Sequence, residues 1–225
     1  SEPLKSKPFE VFDSEGTAIY LAIGMEAATA APGPTKRRPL MPPRRMPTIA
    51  KGVVRVAVLD ANDQPLPDQP VQIIREDVTG GREAVEANTD ATGITRIGVE
   101  VSGDSLYYAQ AVYSGAPFRS TRFDMNDAAG VGLELRVFET TADISKVQSE
   151  VQFVFVPREN NRMEVNQSYR ARVSGNKAFW PGEKMQIQGA EGAQGFVVMN
   201  HATSGLLTHN DKAPFATLVQ PIPPE

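Results

Sequence analysis

The chain has 225 residues, enough for one or two domains that each bury a core, and its 40% hydrophobic and 22% charged content lies far from the composition of disordered chains. A formal net charge of −4 argues against nucleic-acid binding, which favours a basic folded face. The absence of cysteine excludes disulfides, zinc–thiolate and iron–sulfur sites and a cysteine nucleophile together, and suits an exported chain better than a cytosolic one.

Charge is unevenly distributed: residues 1–51 carry a net +3, residues 52–140 a net −7 and residues 141–225 a net 0. These shifts predict an N-terminal segment with a linker (1–51), an acidic middle unit (52–140) and a third part (141–225). Ser1 is expected to follow a removed signal peptide or a cut from a longer chain. The longest nearly apolar run, Ala18 to Met25, is much shorter than the ~20 residues that span a bilayer.

From the N-terminus, Phe9 to Asp13 alternates like a short strand, and Thr17 to Ile23 reads as a second strand or a helix start. Residues 27–50 contain six prolines and predict an extended, polyproline-like arm. Two basic clusters interrupt it, Lys36-Arg37-Arg38 and Arg44-Arg45. They suit an acidic protein partner, an anionic membrane surface or the acidic middle unit, and equally a solvated spacer.

The middle unit reads as short strands over Val53 to Leu59, Val71 to Glu76, Ile94 to Val101, Leu106 to Tyr113, Phe118 to Met125 and Gly132 to Phe138. So many strands with short turns predict an antiparallel sandwich. Alternation sets Val54, Val56 and Val58 against Val53, Arg55, Ala57 and Leu59 in the first strand, and Leu133, Leu135 and Val137 against Glu134, Arg136 and Phe138 in the last. Asp60-Ala61-Asn62-Asp63 holds closely spaced oxygen side chains, as a calcium loop would, yet Asp and Asn are also ordinary turn residues. In Thr89-Asp90-Ala91-Thr92-Gly93 the aspartate can accept backbone N–H groups, and the glycine can take positive φ.

The order of strand VVRVAVL, proline-bearing turn DANDQPLPDQP, strand VQII and Thr-Asp-x-x-Gly turn resembles the transthyretin-like module of carboxypeptidase regulatory domains and bacterial envelope proteins. That resemblance implies a non-enzymatic scaffold in a periplasmic or other extracytoplasmic setting. Pilins of related fold carry a lysine amide crosslink; residues 52–140 contain no lysine, so an internal crosslink is chemically excluded.

In the third part, Val151 to Val156 is a β run and Met163 to Val173 a half-buried strand, with Met163, Val165, Gln167, Tyr169 and Ala171 on one side. Val173-Ser174-Gly175, Phe179-Trp180-Pro181 and Gly192-Ala193-Gln194-Gly195 resemble a domain that follows carboxypeptidase-regulatory-like units in secreted Gram-negative proteins. The fold expectation is therefore all-β: two tandem antiparallel β-sandwich domains with an extended N-terminal arm.

Chemistry-bearing motifs are sparse. Ser204, His209 and Asp211 sit too close in sequence for a hydrolytic triad and lack a nucleophile elbow, while His201, His209 and Asp211 show no recognised zinc spacing. No phosphate-binding glycine loop is present. No enzyme activity, metal or cofactor is expected. Trp180 reads as a plug of the core or of a domain interface, or as a stacking platform with Phe179, Tyr107, Tyr108 and Tyr113 in a carbohydrate-binding module. The leading expectation is a structural or interaction subunit of an envelope assembly, with Lys36, Arg37, Arg38, Arg44, Arg45 and Trp180 as candidate partner-binding residues.

Overall fold

A computed structural model describes residues 17–23, 37–126, 128–159, 162–182, 185–188, 207–209 and 215–224. The protein is all-β. Its strands in chain order are β1 (Thr17–Ile23), β2 (Arg44–Met46), β3 (Val53–Leu59), β4 (Pro70–Asp77), β5 (Arg82–Asn88), β6 (Ile94–Gly98), β7 (Ser105–Tyr113), β8 (Ala116–Arg119) and β9 (Gly130–Arg136). There follow β10 (Thr140–Thr141), β11 (Val147–Arg158), β12 (Arg162–Val173), β13 (Ala178–Phe179), β14 (Gln186–Gln188), β15 (Leu207–His209) and β16 (Phe215–Leu218). Among the described residues the helical structure is a 3-10 turn at Ile144–Lys146, and no helix is long and apolar enough to cross a membrane.

Two four-stranded sheets form a sandwich. The first runs β2-β9-β3-β6, with β9 parallel to β3 and the other neighbours antiparallel; the second runs β5-β4-β7-β8, antiparallel throughout. Because side chains alternate across a strand, each sheet turns one set inward. Val54, Val56, Val58, Val131, Leu133 and Leu135 of the first sheet meet Val71, Ile73, Tyr107, Ala109, Ala111 and Phe118 of the second in one continuous core. Tyr107 is fully buried, and its hydroxyl donates to Glu100 O (2.7 Å) and accepts from Ser102 N (2.9 Å), which ties down the loop entering β7.

The turns close as their residues dictate. Asp90 Oδ1 accepts from Thr92 N (2.8 Å), Thr92 Oγ1 (2.6 Å) and Ile94 N (3.1 Å). Gly93 has φ +70°, and a Cβ there would press on Pro65 and on Leu66 N at 2.8 Å, so both backbone angle and space require glycine. Thr89 Oγ1 donates to Leu66 O (2.7 Å) and accepts from Gln69 N (2.9 Å), joining this turn to the proline-bearing one. In the calcium-like turn, Asp60 Oδ1 accepts from Asn62 N (2.8 Å) and Gln64 N (2.9 Å), while Asp63 faces Arg136. Those carboxylates are engaged as an ordinary turn engages them.

Three expectations need correction. Residues 44–46 are not polyproline-like: they form β2, an edge strand of the sandwich, because Pro42, Pro43 and Pro47 flank it and leave three residues free to bond β9. The strand expected from Phe118 to Met125 ends at Arg119, where Ser120 Oγ accepts Ala109 N (3.0 Å) and breaks the ladder; Phe123 returns as an isolated bridge to Tyr107. Residues 82–88, to which the alternation assigns no strand, form β5.

In the third part, β11 and β12 make a hairpin with twelve paired positions from Val147↔Val173 to Arg158↔Arg162. The segment left open between strand and helix is β1, which adds antiparallel to β11, with Ile19 opposite Phe153 and Leu21 opposite Val151. The N-terminal segment thus supplies strands to two different sheets. A second small sheet runs β14-β16-β15, and β10 pairs parallel with β13.

Candidate interaction surface

The basic arm runs along the β9 edge of the first sheet and turns Met46 and Ile49 onto its outer face. The local reason is in β9: its outward positions Gly130 and Gly132 leave room for Met46 and Ile49, whose side chains occupy the space a Cβ would need. Ile49 is 7% exposed. Backbone bonds Gly130 N→Ile49 O (2.9 Å) and Glu134 N→Met41 O (3.0 Å) fasten the arm on either side of β2.

Charge completes the docking. Arg38 grips Glu134 with both terminal amino groups, Nη1 to Oε2 at 2.7 Å and Nη2 to Oε1 at 3.2 Å, and Met41 N donates to the same carboxylate at 3.0 Å. The Arg38 hydrogen bond, aided by Met41 N–H, holds the Glu134 carboxyl below its ordinary range against the opposing effect of burial. Arg136 bonds Asp63 and donates to Arg38 O at 3.0 Å. Arg45 pairs with Asp124 at 2.8 Å. Arg37 donates to Pro224 O at 2.9 Å, with its guanidinium 5.2 Å from the centre of the Phe138 ring.

Of the residues expected to bind a partner, Arg37, Arg38 and Arg45 therefore engage the protein's own acids, carbonyl and ring. Lys36 lies outside the described residues. Trp180 is half-buried, packs against the sandwich core and donates its backbone N–H to Thr141 O at 2.8 Å. Tyr107, Tyr108 and Phe179 are all buried, so the expected stacking platform loses three of its rings to packing. His201 and Asp211 lie outside the described residues, as does the His209 side chain.

Arg44 is different. It stands opposite Gly132, Gly132 opposite Arg55, and Arg55 opposite Arg96, so one rung across the four strands of the first sheet carries three arginines. At the usual strand spacing this line is about 14 Å long. Alternation turns Arg55 outward, because its neighbours Val54 and Val56 are fully buried. Arg44 and Arg96 are exposed and Arg55 partly so; none of the three has a hydrogen-bond acceptor among the described residues, while Arg96 lies near enough to the Asp90 carboxylate to help hold its pKa down. Like charges directly opposite each other oppose pairing, so Arg55↔Arg96 is a local cost that an acidic ligand would relieve. Arg55 and Arg96 were not anticipated as site residues. VVRVAVL and ITRIG do show each arginine between inward apolar residues, but register across separate strands cannot be read from either.

Two stacked sheets with an arginine row on one outer face define an all-β sandwich protein. No protein-family model matches the chain, and no curated protein matches it either.

Proposed function

We propose that the protein is a non-enzymatic, extracytoplasmic interaction subunit of a larger envelope assembly, built on a transthyretin-like, carboxypeptidase-regulatory-like sandwich followed by a second β unit. The observation that carries this reading is the Arg44–Arg55–Arg96 rung: three guanidiniums in line, without a hydrogen-bond acceptor among the described residues, in a unit that is otherwise acidic. An acidic protein surface is the natural complement, since arginine is favoured at interfaces and opposite charge steers encounter. The turn chemistry at Asp90 and Gly93, the two four-stranded sheets and the lack of cysteine support the family and compartment parts of the reading.

The test is capture of partners from native envelope extract by the wild type and by the double variant Arg55→Glu/Arg96→Glu. We expect one abundant partner to be lost with charge reversal and to be released by salt above about 0.5 M. Equal capture by both proteins would overturn the assignment of this face. The carbohydrate-binding alternative predicts instead that Trp180→Ala abolishes glycan binding while the fold survives.

A further inference from the structure

The outer face of the second sheet carries a different arrangement. Its outward side chains form rungs, one of which runs Glu86, Gln72, Gln110, Arg119 across β5, β4, β7 and β8. Hydrogen bonds follow the rung: Gln72 Nε2 to Glu86 Oε2 at 2.8 Å, Gln110 Nε2 to Gln72 Oε1 at 3.4 Å, and Arg119 Nε to Gln110 Oε1 at 2.7 Å. Arg119 is further fixed by its backbone N–H, which donates to Gln220 Oε1 at 3.1 Å.

The neighbouring outward position on β7 is Tyr108, only 4% exposed although it faces away from the core. The guanidinium of Arg119 lies 5.4 Å from its ring centre and that of Arg122 lies 6.0 Å away. One carboxylate serves the flanking cations: Glu76 Oε2 accepts a hydrogen bond from Arg122 at 2.9 Å, and Oε1 lies 2.8 Å from Arg82 Nη2 as an ion pair without hydrogen-bond geometry. Three guanidiniums and one carboxylate leave a local excess of positive charge, and Arg119 itself has no carboxylate within ion-pair distance among the described residues.

A guanidinium stays protonated in a protein, and a charge taken partly out of water is ordinarily paired. Here Nε is committed to Gln110, so the orientation of the fork is set while its two terminal amino groups have no described acceptor. Burial, together with the nearby Arg82 and Arg122, depresses the Arg119 pKa against the opposing pull of Tyr108 and Glu76.

We propose that this face is an oxyanion-binding site: Arg119, held by Gln110 and laid on Tyr108, takes a sulfate, phosphate or carboxylate group through its free amino edge, with Arg122 and Arg82 adding attraction and Glu76 holding those two in place. The planar fork matches two oxygens of any such group, and a ligand reached through a pre-set fork loses little side-chain entropy on binding. The site is on the opposite sheet from the Arg44–Arg55–Arg96 rung, and the two stand or fall separately.

The experiment is a nuclear magnetic resonance titration of the isotope-labelled chain, following backbone and arginine Nε–H signals. Sodium sulfate, sodium phosphate and sodium acetate are added in separate arms at ionic strength matched with sodium chloride. We expect saturable shifts centred on Arg119, Gln110 and Tyr108 with at least one of the three anions; the arm that saturates at lowest concentration names the group. Arg119→Gln should weaken that binding by about tenfold or more, as loss of a charge-assisted contact does, and Arg122→Gln by a few-fold. Arg96→Gln, on the other sheet, should leave it unchanged. If Arg119→Gln disturbs the fold, Arg119→Lys keeps the charge without the fork and should still weaken binding. Shifts that stay linear in all three arms, or that saturate equally in Arg119→Gln and Arg122→Gln, would overturn the proposal.

Discussion

The middle sandwich and the β1-β11-β12 sheet are built from equally β-prone sequence, yet they bury very different amounts of it. In the sandwich, Val54, Val56, Val58 and Leu133 have no exposed surface, because a second sheet stands opposite them. In the hairpin, Val151 and Val173 are buried, but Met163 and Tyr169 are 50% and 43% exposed and most of β11 is intermediate. Alternation therefore specifies a strand and its two faces; the covering layer decides which face becomes core. The same contrast explains the arm. Met46 and Ile49 gain burial only because Gly130 and Gly132 leave a channel on an otherwise polar outer face.

This contrast can be broken most forcefully in the core. Leu133→Ala should cost about 2–5 kcal/mol in urea-induced unfolding, whereas Tyr169→Ala in the hairpin should cost less than about 1 kcal/mol. Similar costs at both positions would mean that the hairpin face is covered. Gly132→Val places a branched side chain where Met46 and Ile49 lie, and should cost about 1–3 kcal/mol while exposing residues 37–50 to protease. Tyr107→Phe leaves the ring in place but removes the bonds to Glu100 O and Ser102 N, an expected loss of about 1–2 kcal/mol.

The smallest effect is in pH. The Asp90 carboxyl is held below its usual value first by the Thr92 hydroxyl and then by the N–H groups of Ile94 and Thr92; Asp77 is held below by Thr79 and Gly81, and Glu134 by Arg38. A depressed folded-state pKa adds stability that is present above the unfolded value and lost as pH falls through the folded one. Thermal midpoints should be level from about pH 5 to 7 and decline below about pH 4. Asp90→Asn should flatten part of that decline; an unchanged acid slope would show that the turn bonds do not discriminate between protonation states.

Much of the sandwich was legible because its central strands alternate cleanly. Val53 to Leu59 coincides with β3, and the inward sets of β3 and β9 follow from their valines and leucines. Strand β5 was not legible: REAVEAN is an edge strand, exposed at six of its seven positions, and so has no apolar face to announce it. Strand β2 was hidden by its flanking prolines, since nothing in RRM says that β9 offers two glycines to dock on. The candidate surface was legible only in part. Arg44 sits in an evident basic cluster, but its alignment with Arg55 and Arg96 is a product of sheet order and register, which join positions far apart in sequence.

Docking of the arm underlies both the fold and the assignment of free and engaged arginines, and hydrogen exchange of the intact protein tests it most directly. Peptides covering residues 37–50 should exchange with protection comparable to those covering β9, because β2 bonds β9 and the Ile49 amide donates to Met46 O at 2.9 Å. Exchange of 37–50 at the rate of an unstructured chain, with β9 still protected, would contradict the docked arm.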